Sequence, residues 1–383
     1  MIEVFYFFFF MAIGIYLPYL PPYLQGLGLT GREISTVLSV SPVMALAIPL
    51  FWAWIADRTR QHARVLKIVC AGACLGFLPL LFVQRFPAIF ATYVGYSLFA
   101  VAIGGLADSL AIARVRAGGD YGRLRVWGSL GCMVATLVGG AILTARGGRG
   151  ADPLVPRMLC LALAAAFIAS LRLRGTGEQS ARPRLNDVKV LLRDGRFRLL
   201  LVAAALHWMC CAPYHVFFGI LLRDRQLSPN VIGVSFCIGV AAEIVVLFAF
   251  KRLRRLMDLE AMLMLACAGS AVRWFAISQA HNTPLLMGLQ ALHGLTFGLF
   301  WGAGITLVGE CVPAPLRATG QALFVMAITG IGNIVGMLTA GALYDATGSA
   351  TALFFAAAFT ELLPLGVLHY GRRRVRALNA GAA

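Results

Sequence analysis

The sequence predicts an all-α membrane protein of twelve transmembrane helices, arranged as two halves of six. Three observations predict it. First, the 383 residues are 60% hydrophobic and only 13% charged, against about 25% charged in an ordinary soluble domain. Second, apolar runs of about 20 residues, the length a helix needs to cross a bilayer, recur twelve times. Third, the longest polar stretch falls after the sixth run and divides the chain into equal parts.

The predicted spans are 3–25, 32–55, 65–84, 87–112, 122–145, 154–171, 198–222, 229–250, 259–280, 284–310, 318–343 and 349–370. Runs of this length read as helices rather than barrel strands. The opening MIEVFYFFFF has no positive n-region and no clear small-residue cleavage site, so it reads as a retained first span. Prolines 18, 21, 22, 42, 49 and 213 are expected to kink or break spans 1, 2 and 7. Gly139 and Gly140 in span 5, and Gly332, Gly336 and Gly341 in span 11, suit close helix contact. Domain boundaries follow: an N-terminal bundle over 1–171, a central loop over 172–197, a C-terminal bundle over 198–371 and a tail over 372–383. The stretch DVKVLLRDGR within the loop is expected to form a short interfacial helix.

The net charge of +17 raises nucleic acid as a partner, and the distribution rejects it. Of the 33 lysines and arginines, 25 fall in the loops after even-numbered spans or in the tail. Seven lie on the opposite side, and Arg273 belongs to neither. That bias places both termini in the cytoplasm and the chain in a bacterial-type inner membrane. The nine cysteines lack metal-ligand spacing and read as buried thiols. No metal or bound cofactor is expected. No nucleophile triad or Walker-type phosphate loop is evident, so neither an enzyme nor an ATP-driven pump is expected.

Three ionisable residues interrupt consecutive apolar spans: Glu243 in span 8, Arg273 in span 9 and His293 in span 10. A charge at the bilayer centre costs at least about 2.5–3.5 kcal/mol on insertion scales, and such residues mark substrate or proton pathways. Counting rises of 1.5 Å per residue from the outer face puts Arg273 about 10 Å deep and His293 about 13 Å deep. Glu243 can pair with Arg273 when ionised and release it when protonated. His293 can relay a proton near neutral pH. The competing reading is a buried salt bridge that only holds helices together. Asp108 and Arg125 flank the loop between spans 4 and 5, where interfacial positions are equally consistent with hydropathy. Glu361 in span 12 has no evident partner and reads as snorkelling or stays unexplained. Asn333 in span 11 suits either a cavity or a helix-to-helix hydrogen bond. Tyr16, Tyr214 and Phe217 suit either the apolar part of a pocket or packing.

The halves read as parallel repeats. At an offset of 198, LTGREISTVLSV from Leu29 lies on LSPNVIGVSFCI from Leu227, and Tyr16 lies on Tyr214. Six-plus-six with parallel halves is the architecture of the major facilitator superfamily. Further segments carry a closer resemblance: FYFFFF, GIYLP and GLGLT near the start, DYGRLRVWGS around Arg125, GVAAEIVV around Glu243, VRW around Arg273 and LQALH ending at His293. Together they resemble lactose permease-type proton symporters, and more closely the 3-phenylpropionic acid transporter branch, over nearly the whole chain.

The resemblance implies that Asp108 and Arg125 contact substrate. It also implies that Glu243, Arg273 and His293 serve recognition and proton coupling. Three positions depart from the permease pattern. Thr296 stands where a proton-carrying glutamate is expected, Gln290 replaces a lysine, and Cys132 replaces the tryptophan that stacks on sugar. The implied function is proton-coupled symport of a small organic anion, such as an aromatic carboxylate, by a monomer in the lipid bilayer with protons as the coupling ion. Proton-coupling residues are then Glu243, His293, Arg273 and Asp108. Substrate-binding residues are Asp108, Arg125, Arg273, Tyr16, Tyr214 and Asn333. The alternatives are a sugar or nucleoside symporter, an exporter, and, from another class, a substrate-sensing receptor.

Overall fold

A computed structural model describes residues 1–116, 121–148, 150–175 and 185–381. Among these residues, twelve helices are long and apolar enough to cross a membrane. They are α1 (Ile2–Gly26), α2 (Gly31–Thr59), α3 (His62–Leu81), α4 (Phe86–Arg116), α5 (Tyr121–Ala145), α6 (Leu154–Leu171), α7 (Gly195–Asp224), α8 (Pro229–Leu256), α9 (Leu259–Gln279), α10 (Thr283–Cys311), α11 (Thr319–Thr347) and α12 (Ala350–Arg373). Among the described residues no strand occurs. The number and order of the predicted spans are those observed.

Local chemistry starts and stops these helices. Thr30 and Glu33 form a reciprocal capping box at the head of α2, which satisfies two otherwise orphan amides. Asp258 caps α9 by accepting from Ala261 N at 2.7 Å, and Asn282 caps α10 by accepting from Leu285 N at 2.8 Å. In the central loop Leu185–Leu191 is helical, as the amphipathic DVKVLL suggested; 176–184 lie outside the described residues.

The prolines break one of the three spans that hold them. Helix α1 continues unbroken through Pro18, Pro21 and Pro22, and α7 through Pro213. Neighbouring packing holds the helix where the missing amide would weaken it. Helix α2 is interrupted at Leu46–Ala47, with Pro49 opening its second segment. Helix α10 instead changes pitch: Leu289–Leu292 is 3₁₀ and Gly294–Leu299 is π-helical. Helix α11 has a second π-helical stretch over Met326–Gly332, and α12 turns at Glu361.

The chain divides into two compact units. One comprises 1–180 with 215–237; the other comprises 181–214 with 238–383. The core of the first gathers Phe5, Tyr6, Leu66, Val69, Ala107 and Leu110. The core of the second gathers Trp208, Leu263, Phe300, Phe324 and Ile328. Large apolar side chains such as Phe82, Leu161 and Phe248 are 70–85% exposed. In water such exposure would be a liability, and in a bilayer it is the lipid-facing surface. Small residues let helices close up inside the second unit. A Cβ at Gly336 on α11 would come within 2.5 Å of the Met209 carbonyl oxygen on α7.

Candidate functional site

The second unit assembles the three intramembrane charges around Arg273. Gln290, His293 and Thr296 recur at every third position of α10, so a single face of that helix meets α9. Arg273 Nη2 donates to Gln290 Oε1 at 2.7 Å. Its Nη1 donates to Thr296 Oγ1 at 3.0 Å and to His293 Nδ1 at 3.2 Å. The rings of Tyr214 and Trp274 cover the guanidinium, with its carbon 4.4 and 4.7 Å from their centroids. Arg273 is 0% exposed, and its Nε has no hydrogen-bond partner among the described residues. These neighbours are neutral groups that accept or stack, which suits a buried cation.

Guanidinium only donates, so His293 Nδ1 must be the acceptor and the ring proton sits on Nε2. That nitrogen faces Glu243, whose Oε2 is 4.0 Å away. Helix α8 meets α10 at small residues. Gly239 lies against His293, with a notional Cβ 3.3 Å from the histidine Cβ, and a Cβ at Gly294 would overlap the Ala242 carbonyl. Glu243 therefore reaches His293. The contacts run as a chain of three, Glu243 to His293 to Arg273. Glu243 and His293 are 26% and 13% exposed at their side chains, so the chain runs from an open end to a sealed one.

Glu361 corrects the sequence reading. It does not snorkel; it is 0% exposed and pairs with His207 Nδ1. His207, also 0% exposed, stacks on Phe300 with centroids 4.0 Å apart. Its Nε2 lies 3.1 Å from the Thr296 carbonyl oxygen. The sequence reading missed His207. The available signal was a histidine within an apolar span, the same signal that singled out His293. Asn333 on α11 is half-buried, and its Oδ1 lacks a hydrogen-bond partner among the described residues.

The first unit holds the remaining candidates. Tyr6 Oη donates to half-buried Asp108 Oδ1 at 2.5 Å, so Asp108 is held inside the bundle rather than free at the interface. Tyr16 stacks on Tyr93, centroids 6.3 Å apart. Phe217 is wholly buried. Cys132 packs its backbone on Gly14. Arg125 lies on α5, and its side chain falls outside the described residues. At one end of this unit, a cavity of about 360 Å³ is lined by Tyr19, Gln25, Asp152, Arg223 and Asp224. There Arg223 Nη1 donates to the Pro22 carbonyl at 2.6 Å, and Gln25 Nε2 donates to Asp224 at 2.9 Å.

Known proteins resemble this chain over most of its length. The profile of the MFS_1 like family matches residues 1–356. A maltose permease of Geobacillus stearothermophilus is 30% identical over 89% of the chain and 86% of its own length. A probable 3-phenylpropionic acid transporter of Escherichia coli is 26% identical over 76% and 77%. The crystal structure of a mutant of the nucleoside transporter NupG superposes with a TM-score of 0.87 at 17% identity, over 97% of this chain and 98% of that one. Members and relatives are transporters rather than enzymes. With twelve apolar helices in place and the family profile covering nearly the whole chain, this protein belongs to the MFS_1 like family and is a multi-pass membrane transporter of the major facilitator type.

Proposed function

We propose that this transporter is a proton-coupled symporter of a small organic anion, with Arg273 as the anchor for the substrate carboxylate. One observation carries the reading: a fully buried arginine bonded to neutral acceptors, one of them a histidine whose other nitrogen faces a glutamate. Neutral His293 accepts from Arg273 through Nδ1. The ring already carries its proton on Nε2 toward Glu243, so an added proton goes to Nδ1 while the Glu243 carboxylate stabilises the imidazolium from the Nε2 side. The acceptor becomes a donor and like charges stand about 3 Å apart. The contact then breaks and a guanidinium edge becomes available to an anion. Proton and anion thus favour one another's binding, and the coupling is reciprocal.

The aromatic rings of Tyr214 and Trp274 on the guanidinium suit a substrate with an apolar body. Asp108, Arg125, Tyr16 and Asn333 are assigned to substrate through the family resemblance, and Asp108 also to proton coupling. The coupling ion is the proton, with no bound cofactor. The protein is a monomer of the inner membrane with both termini cytoplasmic.

The test is uptake of labelled 3-phenylpropionate into proteoliposomes under an imposed inward proton gradient. Wild type is expected to accumulate it, and Glu243→Gln to lose accumulation while keeping exchange. Unchanged accumulation in Glu243→Gln removes that residue from the coupling. A second reading, a sugar symporter, is favoured by the 30% identity to a maltose permease. Competition by maltose but not by 3-phenylpropionate would select it.

A further inference from the structure

We infer that the His207–Glu361 pair is a second proton-binding site, wired to Arg273 through Thr296; this rests on the reading that transport is proton-coupled. Both side chains are 0% exposed. The groups facing them come from four helices. Helix α7 supplies Cys211, whose Sγ lies 3.8 Å from His207 Nε2, and Cys210, which neighbours Glu361. Helix α9 supplies Cys267, with Sγ 3.9 Å from His207 Nδ1. Helix α10 supplies the Thr296 carbonyl and the Phe300 ring. Glu361 itself comes from α12, at the point where that helix turns. Its Oε2 has no hydrogen-bond partner among the described residues. Arg273 lies on the far side of Thr296, bonded to its hydroxyl.

Proton bookkeeping gives the pair two states. Neutral histidine beside ionised glutamate carries net charge −1. Adding one proton makes either imidazolium beside carboxylate or imidazole beside carboxylic acid, and both are neutral overall. No other bond forms or breaks. In a dry interior a net charge is costly unless compensated. On this proposal Arg273, held by the same Thr296, compensates the empty pair, and the loaded pair leaves Arg273 to a substrate anion.

The wiring is one residue long. The Thr296 hydroxyl accepts from Arg273 Nη1 while its carbonyl receives His207 Nε2. Thr296 sits inside the π-helical turn Gly294–Leu299. Such turns widen the ladder of backbone bonds and occur mostly at functional sites. Glu243 is 26% exposed at its side chain and exchanges protons with water. Glu361 is sealed, so its proton is the one held through the transport step.

Two measurements test this. In proteoliposomes, Glu361→Gln is expected to keep 3-phenylpropionate counterflow near wild type while losing proton-driven accumulation by about tenfold or more. Accumulation equal to wild type overturns the assignment. If wild type does not accumulate 3-phenylpropionate, the proposed function as an organic-anion symporter fails on its own. The site is then judged on purified protein by infrared difference spectroscopy across pH. A carboxyl band that titrates in wild type and Glu243→Gln but vanishes in Glu361→Gln supports it; the band persisting in Glu361→Gln overturns it. Should Glu361→Gln not insert stably, His207→Gln takes its place and must shift the titration of that band. Stoichiometric zinc in wild-type protein, lost in His207→Gln, would assign the cluster to a metal and overturn the proposal.

Discussion

Arg273 is the residue on which the second unit turns. Its three hydrogen bonds and two stacked rings use the planar fork of guanidinium, which an ammonium cannot reproduce. Arg273→Lys should therefore keep the charge yet weaken anion binding by about tenfold or more, read by isothermal titration with 3-phenylpropionate in detergent. Binding unchanged within about twofold would remove the arginine from substrate recognition. Gln290→Leu deletes the acceptor of Nη2 and leaves a buried charged donor unpaired. That is expected to cost about 1–3 kcal/mol, seen as a fall in thermal unfolding temperature. The sequence named Arg273, His293 and Glu243 because each is expensive in hydrocarbon. It did not give their order of contact, because side-chain reach depends on helix rotation and helix spacing.

At the scale of elements, the packing of α8 on α10 sets that order. Gly294 admits the Ala242 carbonyl, and Gly239 admits the His293 ring. Gly294→Leu should push α8 away and separate Glu243 from His293. The expected outcome is loss of proton-driven uptake together with a lower melting temperature, whereas Gly288→Ala, at an open position, should change neither. The changes of pitch in α10 carry no reliable mark in the sequence. A π turn is stabilised by what the displaced groups meet, here the Thr296 carbonyl with His207, and that partner lies 89 residues away. The continuity of α1 through three prolines has the same cause. Proline weakens a helix locally, and tertiary packing decides whether it breaks.

For the whole molecule, the distribution of arginine and lysine predicts orientation. Reporter fusions after Ala383 and within the loop near Arg193 should both report cytoplasm, and a fusion between Arg146 and Arg157 should report the outside. A reversed pattern would refute the reading of charge bias. The two units gather different kinds of side chain. Asp108, Tyr6, Tyr16 and Tyr93 make a tyrosine-rich group in the first. Arg273, His293, Glu243, His207 and Glu361 make the charged group in the second.

By itself the sequence determined the class, the number of spans and most of the charged candidates. Each of these follows from composition and from the cost of polar groups in lipid, which act locally along the chain. Only the tertiary structure decided which charges meet. It put His293 between Glu243 and Arg273, and it gave Glu361 a partner in His207, 154 residues away. Such pairings depend on the relative rotation of helices. That rotation is set by many small packing contacts spread over the bundle, and no short stretch of sequence records it.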